Sequence, residues 1–301
     1  MENLISFIGF GEAAFHIANG LKSEGLTDII AYDVNQNHKE RGEIIRNRAG
    51  EAGVVLADSL EEAYSKSRFI ASLTSAKVAY NVANEIIPNL KSGQVFVDMN
   101  SAAPALKENI NNIKREDGVL VCDAAVMTTV PGNGHKVPIF LSGDGAIEFY
   151  LELSKYGMNL TDLKAPIGAS SAIKMFRSVF MKGLPQLMIE SMVPAARFGA
   201  LDTLIDSLNG TLVGKTIEDL SQVFIARTMV HAERRSKEMA DAVLTLEEMG
   251  LDASMSKAIQ YKLEQLAAKK YVDIIGPEGD MDFRDAIKIL IDEGSEFNEQ
   301  C

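Results

Sequence analysis

Asn3-Leu4-Ile5-Ser6-Phe7-Ile8-Gly9-Phe10-Gly11-Glu12-Ala13-Ala14 is the stretch on which the fold of this 301-residue chain turns. Asn3 to Ile8 is a short apolar run rich in β-formers, which predicts a buried strand. It empties into a G-x-G-x-x-A turn, Gly9 to Ala14. From Glu12 a helical pattern runs to about Gly25, and a second strand, Asp28 to Tyr32, ends on Asp33. Each part of this unit suits a dinucleotide. Gly9 permits the tight turn, Gly11 lets backbone approach a pyrophosphate, and Ala14 keeps helix and strand close. The helix start offers free N–H groups to the phosphates, so Phe10, Glu12 and Ala13 join the two glycines as candidate cofactor contacts. Asp33 follows Gly9 by 24 positions, close to the offset of about 20 expected of an acid that bonds the adenosine ribose.

Composition narrows the partners. With 30 basic and 42 acidic residues the net charge is −12, which argues against nucleic acid or an anionic membrane surface. The opening residues lack the basic n-region of a secretory leader, and no apolar run approaches the ~20 residues of a membrane span. Two cysteines, Cys122 and Cys301, imply no disulfide framework and a reducing compartment, with the cytoplasm as the expected location.

Further along, helix-like sequence (37–50) leads to a short strand at Val54 to Leu56, and Ser59-Leu60-Glu61-Glu62 has the form of a capping box. Arg68 to Leu73 reads as a fourth strand ending in Thr74-Ser75, and a helix from Ala76 stops at Pro88. Gln94 to Asp98 is a fifth strand, followed by Met99-Asn100-Ser101 and a helix opened by Pro104. Val119 to Cys122 is a sixth, then come Asp123 to Thr129, a loop with Pro131, Gly132 and Gly134, and Val137 to Ser142. This alternation predicts an α/β Rossmann domain over 1–165, a doubly wound parallel sheet. From Gly168 strand signals vanish, which predicts an all-α domain over 166–301. Ala172 to Val193 is apolar nearly all round and reads as a buried helix, with a kink or break at Pro185. Helical segments follow near 200–209, 216–249, 253–269 and 282–293, with loops at Gly210, Gly250 and Gly276-Pro277.

In open parallel sheets ligands bind outside the carboxyl ends of the strands. Three such ends carry small polar groups: Ser72 with Leu73-Thr74-Ser75, Asn100 with Ser101, and Thr128 with Thr129. Together, on the edge where a nicotinamide would lie, they suggest a hydroxyl-lined pocket, with Leu73, Thr74, Ser75 and Asn100 as candidate cofactor contacts. Lys174 stands early in the very apolar helix, with Ser178 one turn later on the same face. An ammonium there is costly unless paired or used, and desolvation lowers its pKa toward the range useful for proton transfer. The bland reading is a lysine that snorkels to solvent.

On these residues the chain resembles the β-hydroxyacid dehydrogenase superfamily, which includes 3-hydroxyisobutyrate and 6-phosphogluconate dehydrogenases. Four regions carry the likeness: Gly9–Ala14; Asp98-Met99-Asn100-Ser101; Asp123 to Gly132; and Gly168 to Ser178. The second half is similar to a smaller, phosphogluconate-dehydrogenase-like branch, through runs such as His231-Ala232-Glu233-Arg234-Arg235. The resemblance implies that Lys174 is general acid/base on a substrate hydroxyl and that Ser101 and the Met127–Thr129 loop touch substrate. It also implies dimers with shared clefts. Three departures stand out: Met127-Thr128-Thr129 replaces the family's Ser-Gly-Gly, Ser178 replaces an asparagine, and Ser170 replaces a glycine.

The resulting expectation is an oxidoreductase using NAD, with NADP as the alternative, on a small hydroxy acid, assembled as a homodimer. Decarboxylation after oxidation, imine reduction and a non-catalytic dinucleotide-binding regulator are the rival readings. Asp33 favours NAD because it repels a 2′-phosphate, although Lys39 and Arg41 lie near it in sequence. No His/Cys spacing suggests a metal. His16 reads as structural, His38 as exposed and His135 as a residue of a flexible loop. His231, Arg234 and Arg235 read as a solvated face or, less readily, an anion clamp.

Overall fold

The protein is described by a computed structural model over residues 2–297. The chain divides into two compact units between Val179 and Phe180. The first contains β1 (Asn3–Ile8), α1 (Glu12–Ser23), β2 (Ile29–Tyr32), α2 (Arg41–Ala52), β3 (Val55–Leu56), α3 (Leu60–Ser65) and β4 (Ser67–Ser72). It continues with α4 (Ala79–Ile86), β5 (Val95–Asp98), α5 (Pro104–Asn111), β6 (Leu120–Val126), β7 (Ile139–Ser142), α6 (Ala146–Leu153) and β8 (Leu160–Asp162). The helices α7 (Ala169–Arg197), α8 (Leu201–Leu212), α9 (Ile217–Val230), α10 (Ala232–Glu248), α11 (Ser254–Ala267), α12 (Val272–Ile275) and α13 (Phe283–Phe297) complete the chain.

The eight strands form one sheet in the order β3-β2-β1-β4-β5-β6-β7-β8. Its central strands are buried on both faces, as a sheet covered by helices requires. Phe7, Phe69 and Val97 pack with Ile17, Leu21 and Phe149 on one side, and Ile70, Phe96 and Val121 pack with Ala83, Ile86 and Ile110 on the other. The strand order reverses beside β1, so the turn after β1 opens into a crevice at the carboxyl edge.

One departure from the expected parallel sheet lies at β6 and β7, which pair antiparallel with Asp123 opposite Ser142. A parallel return needs a crossover of a dozen or more residues, usually a helix. Only a short 3-10 turn, Gly134–Lys136, lies between these strands, so the chain doubles back. β7, α6 and β8 then make a further parallel unit, whose α6 and β8 have weaker sequence signals than the earlier elements.

The expected helix over Ala172 to Val193 is present, but it is not buried. Of α7 only Ser170 and Ser171 are buried, whereas Phe176, Val179, Phe180 and Ile189 are exposed. Apolar composition reports that a face needs covering; it does not report what covers it. The cores of the second unit are small, centred on Ala226, Met229, Tyr271 and Ala286, and on Val243, Leu246 and Ala253. The helix continues through Pro185 and Pro194 without a break. Gly210 lies inside α8 rather than in a loop, and the turn falls at Gly214, whose φ is +81°. The 216–249 segment is divided at His231, which ends α9 and starts α10.

Candidate functional site: a dinucleotide crevice and a clamped strand edge

Gly9, with φ +89°, makes the turn out of β1, and its amide donates to the Tyr32 carbonyl at 2.8 Å. A Cβ here would stand 2.5 Å from the Leu73 carbonyl oxygen, so only glycine lets β1 and β4 end side by side. Gly11 caps α1 with no side-chain bond, and a Cβ built on it meets nothing within 4 Å. The uncapped first turn therefore faces open space, as a site for an anion should. Gly9, Gly11, Asp33, Leu73, Thr74 and Ser75 line one crevice of about 620 Å³, with Val78 and Val82 as its apolar wall. These residues fit a dinucleotide: uncapped amides for phosphate, a carboxylate for ribose and aliphatic side chains for a base.

Asp33 accepts from the Phe10 amide through Oδ2 and from the Asn35 amide through Oδ1, both at 2.8 Å. A carboxylate has about four acceptor positions, so two remain for ribose hydroxyls. Phe10 itself points away from the crevice; its ring is fully buried, edge-on to Phe7. Only its backbone belongs to the turn. Thr74 donates to Asn100 Oδ1 at 3.3 Å, which ties the fourth strand end to the fifth.

Beneath Asn100 lies a cluster that sequence reading missed. Lys107 on α5 is 1% exposed, and its Nζ reaches Asp98 Oδ2 at 2.8 Å, Asp123 Oδ1 at 3.1 Å and the Asn100 carbonyl at 2.8 Å. Asp98 and Asp123 are register partners on β5 and β6, so the ammonium separates two carboxylates that would otherwise repel each other in a buried setting. Asp123 also receives the Ser171 amide at 3.0 Å and the Ser171 hydroxyl at 2.8 Å. Ser170 donates to the Asp123 carbonyl and shares a 2.9 Å contact with the Ser142 hydroxyl. The glycine-to-serine departure at Ser170 therefore fastens the start of α7 to β6 and β7. The one signal available beforehand was a lysine between Leu106 and Ile110 on the inward face of a short helix, close to two strand-terminal aspartates.

Lys174 follows one turn after Ser171 and is half-buried. Ser178 donates back to the Lys174 carbonyl at 3.0 Å. Ser101, Thr128 and Thr129 are exposed on the strand-end loops and do not line the crevice that holds Gly11 and Asp33. The Thr129 carbonyl accepts from Asn133 Nδ2 at 2.8 Å, bracing the loop after β6.

His135 is not in a flexible loop. It is 6% exposed and seats its ring on α1, where a Cβ at Gly20 would stand 2.0 Å from Nδ1. Burial pushes its pKa down, outweighing the upward pull of Glu24, whose Oε1 lies 3.4 Å from Nε2. Arg234 pairs with Glu238, and Arg235 Nη1 donates to Thr228 Oγ1 at 2.5 Å, so both guanidinium groups are engaged within their own unit. Cys122 is buried, and burial raises its thiol pKa well above the usual value; Cys301 lies outside the described residues. No cluster of three or more His, Cys, Asp or Glu suited to a metal occurs among the described residues, and no described helix is long and apolar enough to cross a membrane.

Residues 4–149 match the family model of the NAD binding domain of 6-phosphogluconate dehydrogenase, and 195–266 match a domain of unknown function, DUF1932. A conserved hypothetical protein from Sinorhizobium meliloti 1021 is 33% identical, with 96% of each chain covered and a TM-score of 0.64. A conserved protein whose structure is described as similar to 3-hydroxyacid dehydrogenases is 28% identical, covering 87% of this chain and 96% of its own, with a TM-score of 0.61. At the level of fold alone, a variant imine reductase from Myxococcus stipitatus in complex with NAD+ gives a TM-score of 0.71 at 18% identity, over 96% of this chain and all of that one. The glycine turn, the strand-end acid and these likenesses agree on a nicotinamide-cofactor protein, and the chain belongs to the β-hydroxyacid dehydrogenase superfamily, in a form with its own C-terminal helical region.

Proposed function

We propose that the chain is an NAD-dependent oxidoreductase that moves a hydride between the nicotinamide and the carbinol carbon of a small hydroxy acid, with Lys174 as general acid/base. The observation that carries this reading is the fastening of the Lys174-bearing turn to Asp123, at the strand edge that also forms the dinucleotide crevice. When bound, the nicotinamide supplies the hydride-accepting ring carbon. Asp33 would hold the ribose hydroxyls and disfavour a 2′-phosphate. The uncapped turn from Gly9 to Ala13 would hold the pyrophosphate, Leu73, Thr74 and Ser75 would line its path, and Asn100, which lies behind Thr74 outside the crevice lining, would support it. Ser101, Thr128, Thr129 and Ser178 would bind substrate polar groups, and Lys174 takes the hydroxyl proton during oxidation and returns it during reduction.

Imine reduction is the second reading, favoured by the fold likeness to an NAD+-bound imine reductase. There Lys174 would donate to nitrogen rather than oxygen. The exposed apolar residues of α7 support assembly as a homodimer, and a reduced, buried Cys122 suits a cytoplasmic protein. The deciding experiment measures kcat/KM over panels of hydroxy acids and of imines with NAD and NADP, for the parent and Lys174→Ala. A hydroxy acid turned over preferentially with NAD is expected. Lys174→Ala should lose at least roughly 10²–10⁴-fold in kcat with cofactor affinity nearly intact. Near-normal turnover by a folded Lys174→Ala would remove it from the mechanism, and turnover of no compound by the parent would favour a binding protein.

A further inference from the structure

We propose that Arg177 is the anion anchor of the substrate site, so that a substrate carboxylate is held by this side chain rather than by the backbone of the loop after β6. This deepens the dehydrogenase reading and rests on the same strand edge. Arg177 lies three residues after Lys174, on the same face of α7. Its side chain is exposed, and Nη1 reaches the Met127 carbonyl at a long 3.4 Å. That contact brings the guanidinium to the first residue of Met127-Thr128-Thr129, the loop assigned to substrate.

The charge is otherwise unanswered. Among the described residues no carboxylate lies within 4.0 Å of Arg177, although the chain carries a net charge of −12. Arg68, Arg115, Arg234 and Arg284 each have such a partner, while Arg177 shares its lack of one with arginines such as Arg197 and Arg235 and is set apart by its reach to Met127. A guanidinium has five N–H donors in a planar fork that matches a carboxylate through two parallel bonds. The single long bond to Met127 leaves most of that fork unused. Lys174 lies one turn earlier on the same face of α7, so two cationic residues follow one another along it. A hydroxy acid fits both: the hydroxyl to Lys174, the carboxylate to Arg177. A neutral alcohol of the same size would leave the guanidinium unmatched.

The test compares the full-length parent, Arg177→Gln and Arg177→Lys. Hydroxy acids are assayed beside their methyl esters, which keep the carbinol and lose the charge. Arg177→Gln is expected to raise KM for the acids by roughly 10–100-fold, as loss of a bond between charged groups does, with kcat within about threefold. The esters should be unaffected, and Arg177→Lys should recover part of the loss. Independently of turnover, malonate and malonamide are titrated into NADH-loaded protein by calorimetry. The parent should bind malonate in preference to malonamide, and Arg177→Gln should not. If KM for acids and esters moves together, or malonate binds parent and Arg177→Gln alike or not at all, Arg177 is no anchor. Arg177-dependent malonate binding without turnover of any compound would uphold the anchor and remove the dehydrogenase reading. Turnover of acids indifferent to Arg177 would do the reverse.

Discussion

At Gly20 a side chain is missing because His135 occupies its place, with Nδ1 only 2.0 Å from where a Cβ would stand. Alanine is the better helix former by about 1 kcal/mol, yet forcing a methyl group against a seated ring costs typically 1–3 kcal/mol. The second effect should win, so Gly20→Ala lowers the midpoint of thermal unfolding. An unchanged or raised Tm would mean that the ring moves aside freely. The sequence signals at this scale were uneven. That Gly9, Gly11 and Asp33 meet at one crevice was legible because the motif fixes both residue type and spacing. His135 was not, since a histidine among glycines has no periodicity to betray what it packs against. Phe10 was half legible: its position in the turn belongs to the backbone, while its ring belongs to the core.

Among the elements, β5, β6 and α5 meet on a single ammonium, and α7 joins them through Asp123. Removing one partner of a buried charge group costs roughly 3–5 kcal/mol because the charges left behind are unpaired. Lys107→Met should therefore destabilise the protein by about that amount in denaturant unfolding, while Lys107→Met combined with Asp98→Asn recovers part of it. A loss below about 1 kcal/mol for the single change would show that water reaches the carboxylates. The loop after β6 makes a different prediction. Thr128→Gly and Thr129→Gly should alter the ranking of substrates by kcat/KM more than NAD affinity. Rankings held within a factor of about two, roughly 0.4 kcal/mol, would take the loop out of the pocket. The strand and helix alternation that placed these elements was readable from periodicity, but the reversal of β7 was not. Direction depends on the length of the connection, and the extended loop from Met127 to Val137 hid how short its structured part is.

Over the whole molecule the α/β half and the helical half were evident from the point where strand signals stop, and the last strand ends at Asp162. The compact units part later, at 179, because serine bonds bind the first turns of α7 to the sheet. Composition alone cannot register such a bond. The apolar surface of α7 is the larger consequence. Phe176, Val179 and Phe180 are exposed by 70%, 76% and 52%, more apolar surface in one place than single chains ordinarily leave to water. Light scattering at micromolar concentration should accordingly give about twice the 32.7 kDa of one chain. A mass near that of a single chain would remove the dimer.

The bond from the Phe10 amide to Asp33 has a consequence for anyone who wishes to re-engineer cofactor choice. The usual exchange replaces the strand-end acid with a smaller or cationic residue to admit a phosphate. Here the same carboxylate also pins the glycine turn, so Asp33→Ser or Asp33→Arg removes an acceptor from the turn as well as a repulsive charge. Retargeting would have to supply that acceptor anew. Asp33→Asn, which keeps a carbonyl oxygen near the Phe10 amide, is the starting point from which a library should be built.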